Sequence, residues 1–276
     1  IAFFKQQTRI DDDNELKAHL LSIQAEAYKV HPYTCIRLFS WTRLKISRIF
    51  PYQDLLKLGR EREGAIFLDI GCCFGNDVRK AILDGFPLRN VVTSDLHQKF
   101  WDLGHKLFKS TPHTFPVAFV PGDVFDPEHL EIVPPYSADS PPVGGAPDLR
   151  TLGSLNPLHG HVTAIHASAF FHLFSKEAQL RLARGLAGLL SPEPGSMIFG
   201  QQFGLPESGL WEEPSSGHSL FCHSAQSWSE LWDGEVFPRN TVKVLAYVME
   251  IPRDKATRTY PEAQTFHLLT WSVIRL

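Results

Sequence analysis

The sequence predicts an α/β fold, with a mostly parallel sheet, helices on both of its faces and an antiparallel pair at its end. Three observations carry that prediction. Strand-like apolar runs alternate with helical patterns five times, which implies parallel strands joined by helical crossovers. The last two apolar runs follow one another with no long helix between them, so they pair antiparallel. The length of 276 residues and the apolar content of 43% suffice for one large core with additions.

In chain order, residues 14–29 read as a helix, because Leu16, Leu20, Ile23 and Ala27 recur near helical spacing. Asp11, Asp12 and Asp13 suit its N-terminus, and Pro32 ends it by disfavouring helix in the residue before it. Residues 36–50 predict a second helix, broken at Pro51, and residues 52–60 a short third one. The run 65–70 is the first strand. It stops at a tight turn, Gly71-Cys72-Cys73-Phe74-Gly75, and a helix opens at Asn76 and Asp77, whose side chains suit capping. A second strand, 91–94, ends on Asp95, and a third, 117–121, runs into Gly122-Asp123. Residues 134–158 hold Pro134, Pro135, Pro141, Pro142, Pro147 and Pro157, which is loop chemistry. A fourth strand at 162–166, a helix at 175–190 capped by Ser175, a turn at 192–195 and a fifth strand at 197–203 follow. A short helix at 224–232 stops at Asp233-Gly234, and strands at 241–251 and 265–276 close the chain. No internal repeat is visible.

Composition narrows the function classes. The net charge of −3 gives no general attraction to nucleic acid. No apolar run reaches the ~20 residues needed to span a bilayer. Cys35, Cys72, Cys73 and Cys222 match neither a common zinc spacing nor a disulfide scaffold, so reduced thiols, a cytoplasmic protein and no metal are expected. His159, His161, His166, His172, His218 and His223 crowd the second half without a compelling ligand pairing. The 20 Phe and 6 Trp suit an apolar ligand pocket, and equally a core. The acidic run from Asp11 to Glu15 has a superficial likeness to the magnesium-binding motif of terpene synthases. Those enzymes are all-helical, so a solvated helix N-terminus is the better reading here.

The stretch 67–108 is the most informative. Strand, glycine turn, helix, strand and terminal acid form an arrangement suited to a nucleoside. Glycines let a backbone approach a ligand closely, a helix N-terminus offers free N–H groups, and an acid can accept from both ribose hydroxyls. A nicotinamide enzyme shares this logic, but the third glycine of its fingerprint is missing. The turn carries no Lys or Arg, which suits a cationic ligand.

Together, the turn, Asp95, Gly122-Asp123 and the terminal strand pair resemble class I S-adenosylmethionine-dependent methyltransferases over residues 52–276. The strings DIGCCFGNDVRKAILDGFP, FWDLGHKLF and FFHLF are similar to fungal secondary-metabolism methyltransferases, among them meroterpenoid-type enzymes that esterify a carboxylate of a farnesylated aromatic precursor. The resemblance implies a Rossmann-like fold, a mostly parallel seven-stranded sheet with an antiparallel terminal strand, and a helical lid over residues 1–51. It implies S-adenosyl-L-methionine as methyl donor, with Asp69, Gly71, Cys73 and Gly75 at its amino-acid end. Cys73 stands where the general class has its middle glycine. Asp95 would meet the ribose, Leu96, Asp123 and Val124 the adenine, and His166, Ala167 and Ser168 the region of the sulfonium. Tyr28, Tyr33, Gln202 and Trp211 are candidate contacts for a small apolar acceptor bearing a carboxylate or hydroxyl. A carboxylate needs no base, whereas a phenol or enol-like carbon does, with His172 and then His223 as candidates. C-methylation, even coupled to prenyl cyclisation, and a non-catalytic cofactor-binding module remain alternatives.

Overall fold

The computed structural model describes residues 1–212, 219–251 and 266–276. Five parallel strands form its centre: β1 (Ile66–Ile70), β2 (Val91–Asp95), β3 (Ala118–Pro121), β4 (Val162–His166) and β5 (Met197–Phe203). Every residue of β1 and β4 is buried, as strands covered on both faces require, which is why they read as unbroken apolar runs. Two short strands, β6 (Gly209–Glu212) and β7 (Ser219–Cys222), come next in the chain, and β8 (Val242–Glu250) and β9 (His267–Arg275) close it. The sheet order is β3-β2-β1-β4-β5-β9-β8, and β9 runs antiparallel to both of its neighbours. The terminal strand is therefore the antiparallel one. It lies one place in from the edge, which β8 forms. Strand order reverses between β1 and β4, so their C-terminal ends flank the crevice where open α/β sheets bind ligands.

Helices cover both faces. One face packs Leu68, Ile165, Ile198 and Trp271 against α7 (Lys176–Leu189) and α8 (Ala225–Trp232). The other packs Phe67, Ala164 and Phe199 against α4 (Tyr52–Glu61) and α5 (Asn76–Leu83), with Trp101 of α6 (Gln98–Leu107). Ser175 and Ser224 cap α7 and α8, their hydroxyls accepting from backbone N–H groups of the first turn.

A third apolar cluster belongs to the N-terminal segment. It joins Phe4 of α1 (Ala2–Thr8), Leu16, Ile23 and Ala27 of α2 (Asp13–Val30), Ile36 of α3 (Thr34–Arg37) and Trp41 to Phe74, Phe100 and Leu107. Helix α1 was not foreseen, since seven residues carry too short a period to read. Asp12 caps α2 by accepting from Asn14 and Glu15 N–H, which makes the acidic run a helix start.

The single helix expected over 36–50 does not form. Phe39 adopts a left-handed conformation (φ 53°), and short turns at Ser40–Thr42 and Ile46–Arg48 follow α3. This segment trades helical bonds for tertiary ones. Asn76 Nδ2 donates to Trp41 O at 2.6 Å, and Ile46 N–H donates to Asp77 Oδ1 at 3.2 Å. Asn76 and Asp77 consequently do not cap α5. Gly75 (φ 71°) occupies the N-cap position without a side-chain bond.

A second departure is a two-stranded hairpin, β6 (Gly209–Glu212) and β7 (Ser219–Cys222), in a stretch where no strand was expected. His218, and Thr265 at the start expected for the last strand, lie outside the described residues.

Candidate active site

Glycine and backbone conformation build the turn after β1. Gly71 (φ 68°), Cys73 (φ 51°) and Gly75 (φ 71°) all lie in the left-handed region, where a side chain is unfavourable. Space enforces the two glycines as well: a Cβ at Gly71 would lie 2.6 Å from the Phe170 ring, and one at Gly75 2.6 Å from Trp101. Gly104 of α6 does the same from below, since a Cβ there would lie 2.4 Å from Phe74 O. A glycine inside the FWDLGHKLF helix was the sequence signal for that close approach. Burial pushes the Cys72 and Cys73 thiols well up, so both stay protonated.

Asp95 closes β2 and grips the turn. Its Oδ2 accepts from Cys73 N–H and its Oδ1 from His97 N–H, each at 2.9 Å. Burial raises its pKa, and the two N–H groups offset only part of that rise. A carboxylate offers about four lone-pair sites, so both oxygens can still accept from a vicinal diol. Leu96 beside it is 56% exposed. Asp123 turns its carboxylate to its own backbone, accepting from Phe125 N–H at 2.9 Å, while Val124 packs on the core. His129, which sequence reasoning missed, is buried against Gly122, with Nε2 3.1 Å from Ser94 Oγ.

The N-terminal segment reaches this rim through stacked rings. His31 lies 3.9 Å from Tyr33 and 5.7 Å from His97, the neighbour of Asp95. Burial, reinforced by the Asp95 charge, pushes the Tyr33 hydroxyl up to about 12. Tyr28, by contrast, is exposed on α2, and no described ring contact joins it to the rim.

Between β1 and β4 runs a buried polar track. Asp69 and His166 face one another across the strand pair, with Oδ1 and Nδ1 2.7 Å apart. His166 Nε2 is 2.7 Å from Ser168 Oγ, which also accepts from Gln201 N–H at 3.1 Å. Gln201 Nε2 donates to Thr270 Oγ1 at 2.7 Å. Asp69 and His166 are 3% and 2% exposed. Ala167, just past the end of β4, is fully buried in the cluster that packs against α7 and α8. Ser168 was expected after the fourth strand with His166 and Ala167, and the fold adds its partners, His166 Nε2 and Gln201 N–H.

An aromatic cluster stands past β5. Phe203 stacks on Trp211 of β6 at 5.1 Å and meets Phe266 edge-on at 4.8 Å, with Leu38 of the N-terminal segment against them. His172 joins edge-on to Phe203 at 4.6 Å, and its Nδ1 accepts from Phe203 N–H at 3.5 Å. Burial first, then Lys45, lowers its pKa to about 3, so His172 is a neutral wall and a poor proton acceptor. His223 has a structural task. Its Nδ1 lies 2.9 Å from Ser227 Oγ in the first turn of α8, its ring packs on Trp228, and burial lowers its pKa to about 4. Gln202 faces the α7–α8 layer with Leu269, and its Oε1 is buried without a partner. The structure thus brings Tyr33, His172 and Trp211 to the rim and turns Tyr28, Gln202 and His223 elsewhere.

Among the described residues, no group of three His, Cys, Asp or Glu side chains could hold a metal, and no helix is long and apolar enough to cross a membrane.

Residues 1–42 match the family model described as the meroterpenoid methyltransferase N-terminal domain. The asnovolin E/chermesin D methyltransferase nvfJ of Aspergillus novofumigatus is 32% identical over 79% of this chain and 69% of its own length. The O-methyltransferase phiE of a fungal species is also 32% identical, over 76% of this chain, and the match spans only 62% of phiE. Among solved structures, the 1,6-didemethyltoxoflavin-N1-methyltransferase of Burkholderia thailandensis, with S-adenosylhomocysteine bound, superposes with a TM-score of 0.52 at 15% identity, covering 96% of this chain and 91% of that one. That likeness is one of fold.

Proposed function

The chain belongs to the fungal meroterpenoid methyltransferases, and from that premise we propose that it O-methylates a carboxylate or hydroxyl of a small, lipophilic, terpenoid-like acceptor with S-adenosylmethionine as donor. The observation that carries the cofactor part is Asp95, held by Cys73 and His97 N–H with lone pairs to spare for a ribose diol. The donor set fits. The glycine turn has no cationic side chain to repel a sulfonium, and the α5 N-terminus adds free N–H groups. Asp95 and Leu96 would hold the nucleoside, and the turn from Gly71 to Gly75 the amino-acid end.

When bound, S-adenosylmethionine supplies a methyl group already activated by its sulfonium. The protein's part is alignment and the exclusion of water. Phe203, Trp211, Phe266 and Leu38 offer an apolar wall suited to a prenyl-derived acceptor. Residues 1–51 act as a lid in this reading, since Tyr33 and Leu38 bring that segment to both halves of the rim.

Titration with S-adenosylhomocysteine by calorimetry tests the proposal. Binding is expected, and Asp95→Ala should weaken it at least about 100-fold, as loss of a buried charge-assisted pair of hydrogen bonds would. No binding by the unmodified chain would remove the cofactor reading, and unchanged affinity in Asp95→Ala would remove the ribose assignment. Labelled methyl transferred to a product that mild base releases identifies an ester, and a base-stable methyl points to an ether or a carbon.

A further inference from the structure

Asp69, His166 and Ser168 form a continuous chain of short contacts, 2.7 Å and 2.7 Å, at the place where β1 and β4 diverge. We infer that this chain is a proton relay serving a hydroxyl acceptor, with Ser168 as the group that touches the acceptor and His166 and Asp69 acting through it. The inference rests on the reading of the chain as an O-methyltransferase and deepens it by naming the acceptor group.

Asp69 as a carboxylate accepts only, so His166 gives it the Nδ1 proton. His166 Nε2 is then an acceptor, and Ser168 Oγ–H donates to it. Ser168 Oγ accepts from Gln201 N–H at 3.1 Å, which leaves one lone pair. A lone pair on a hydroxyl polarised by a buried imidazole and carboxylate suits a partner that brings a proton, such as an alcohol, enol or phenol. It does not suit a carboxylate. Position agrees with this. Ser168 is half-buried, and Ala169 (φ 52°) turns the chain off the sheet immediately after it. Phe170 then lies against Gly71 on one side, and Gln201 leads through β5 to Phe203 and the aromatic wall on the other. The relay stands between the two halves of the site.

In the step, Ser168 Oγ takes the acceptor's proton while its own passes to His166 Nε2. The acceptor oxygen forms the C–O bond, and the electron pair of the broken C–S bond stays on sulfur. His166 is left as imidazolium against Asp69 and returns the proton to water once product leaves. Of the other charged groups, Asp77 of α5 feels both His166 and Asp69, and Lys45 in turn acts on Asp77.

The test has two arms. First, the protein saturated with S-adenosylhomocysteine is studied by long-range proton–nitrogen NMR of its histidines at pH 7.5. His166 is expected as the neutral ring protonated on Nδ1, and Ser168→Ala should shift its Nε2 resonance. An imidazolium, or a ring protonated on Nε2, overturns the relay whatever acceptor is turned over. Second, methyl transfer to 3-farnesyl-4-hydroxybenzoic acid, which carries both a phenol and a carboxylate, is followed by mass spectrometry. Ser168→Ala and His166→Gln should lower ether formation about 100-fold at pH 7, with partial recovery at a pH where the phenol is already ionised. Loss independent of pH, or transfer to the carboxylate alone, overturns the inference. Calorimetric titration of the unmodified chain with S-adenosylhomocysteine, run beside these assays, separates this failure from failure of the cofactor reading.

Discussion

Burial keeps His172 and His223 neutral in the folded chain, with pKa values of about 3 and about 4 against an ordinary 6.5. The unfolded chain protonates both near the ordinary value. Between pH 6.5 and about 4 the unfolded state therefore binds more protons, and stability falls as pH drops through that window. Above pH 6.5 the contribution is complete. Each group changes stability by about 1.4 kcal/mol per pH unit inside the window. Scanning calorimetry should show Tm declining from pH 7 to 4.5, less steeply for His223→Gln, and an equal slope would remove His223 from this account. Residues whose roles are local were legible in the sequence. Gly71, Gly75 and Asp95 were found because turn conformation and strand end declare themselves in a short window. Phe170 was not, because its importance comes from Gly71 in the turn after another strand, and Ser168 was placed after the fourth strand without its partners His166 and Gln201. His223 looked chemical in sequence for the same reason, since nothing local says that Trp228 will bury it.

The turn at residues 38–48 is held by its partners more than by its own backbone. Trp41 O and Ile46 N–H both bond to side chains at the start of α5. Asn76→Ala would leave the buried Trp41 carbonyl unpaired, and should cost about 1–2 kcal/mol. Hydrogen exchange should quicken over 39–48 while β1 and β4 keep their protection, and unaltered exchange there would contradict the latch. The same feature explains why a helix was expected over 36–50. The apolar spacing of Ile36, Phe39 and Ile46 is real, but each serves a different contact. Strands β1 to β5 and helices α7 and α8 read correctly because their periodicity and caps agree with their tertiary role. The β6–β7 hairpin carries a mixed pattern and leans on Phe203 and Gly204 for its place.

Across the molecule, the N-terminal segment is a layer of the core as well as a cover. Phe74, Phe100, Leu103, Leu107 and Phe108 are buried beneath α1, α2 and Trp41. Removing residues 1–42 should expose a contiguous apolar patch. The shortened chain is expected to bind a hydrophobic dye and to associate on size-exclusion chromatography. A monomer that binds S-adenosylhomocysteine normally would show the layer to be dispensable. Sheet topology was legible in its alternation of elements, but the insertion of β9 between β5 and β8 was not, since only pairing across the sheet decides which of two final strands lies inside.

That insertion has an optical consequence. Trp271 of β9 lies 4.8 Å from Trp228 and 6.1 Å from Trp232, both on α8, with all three indoles fully buried. Chromophores so close couple their excited states, so the far half of the sheet carries its own chiroptical signature. Its disappearance marks the moment the chain's end leaves the fold, independently of the helical signal from the rest of the molecule.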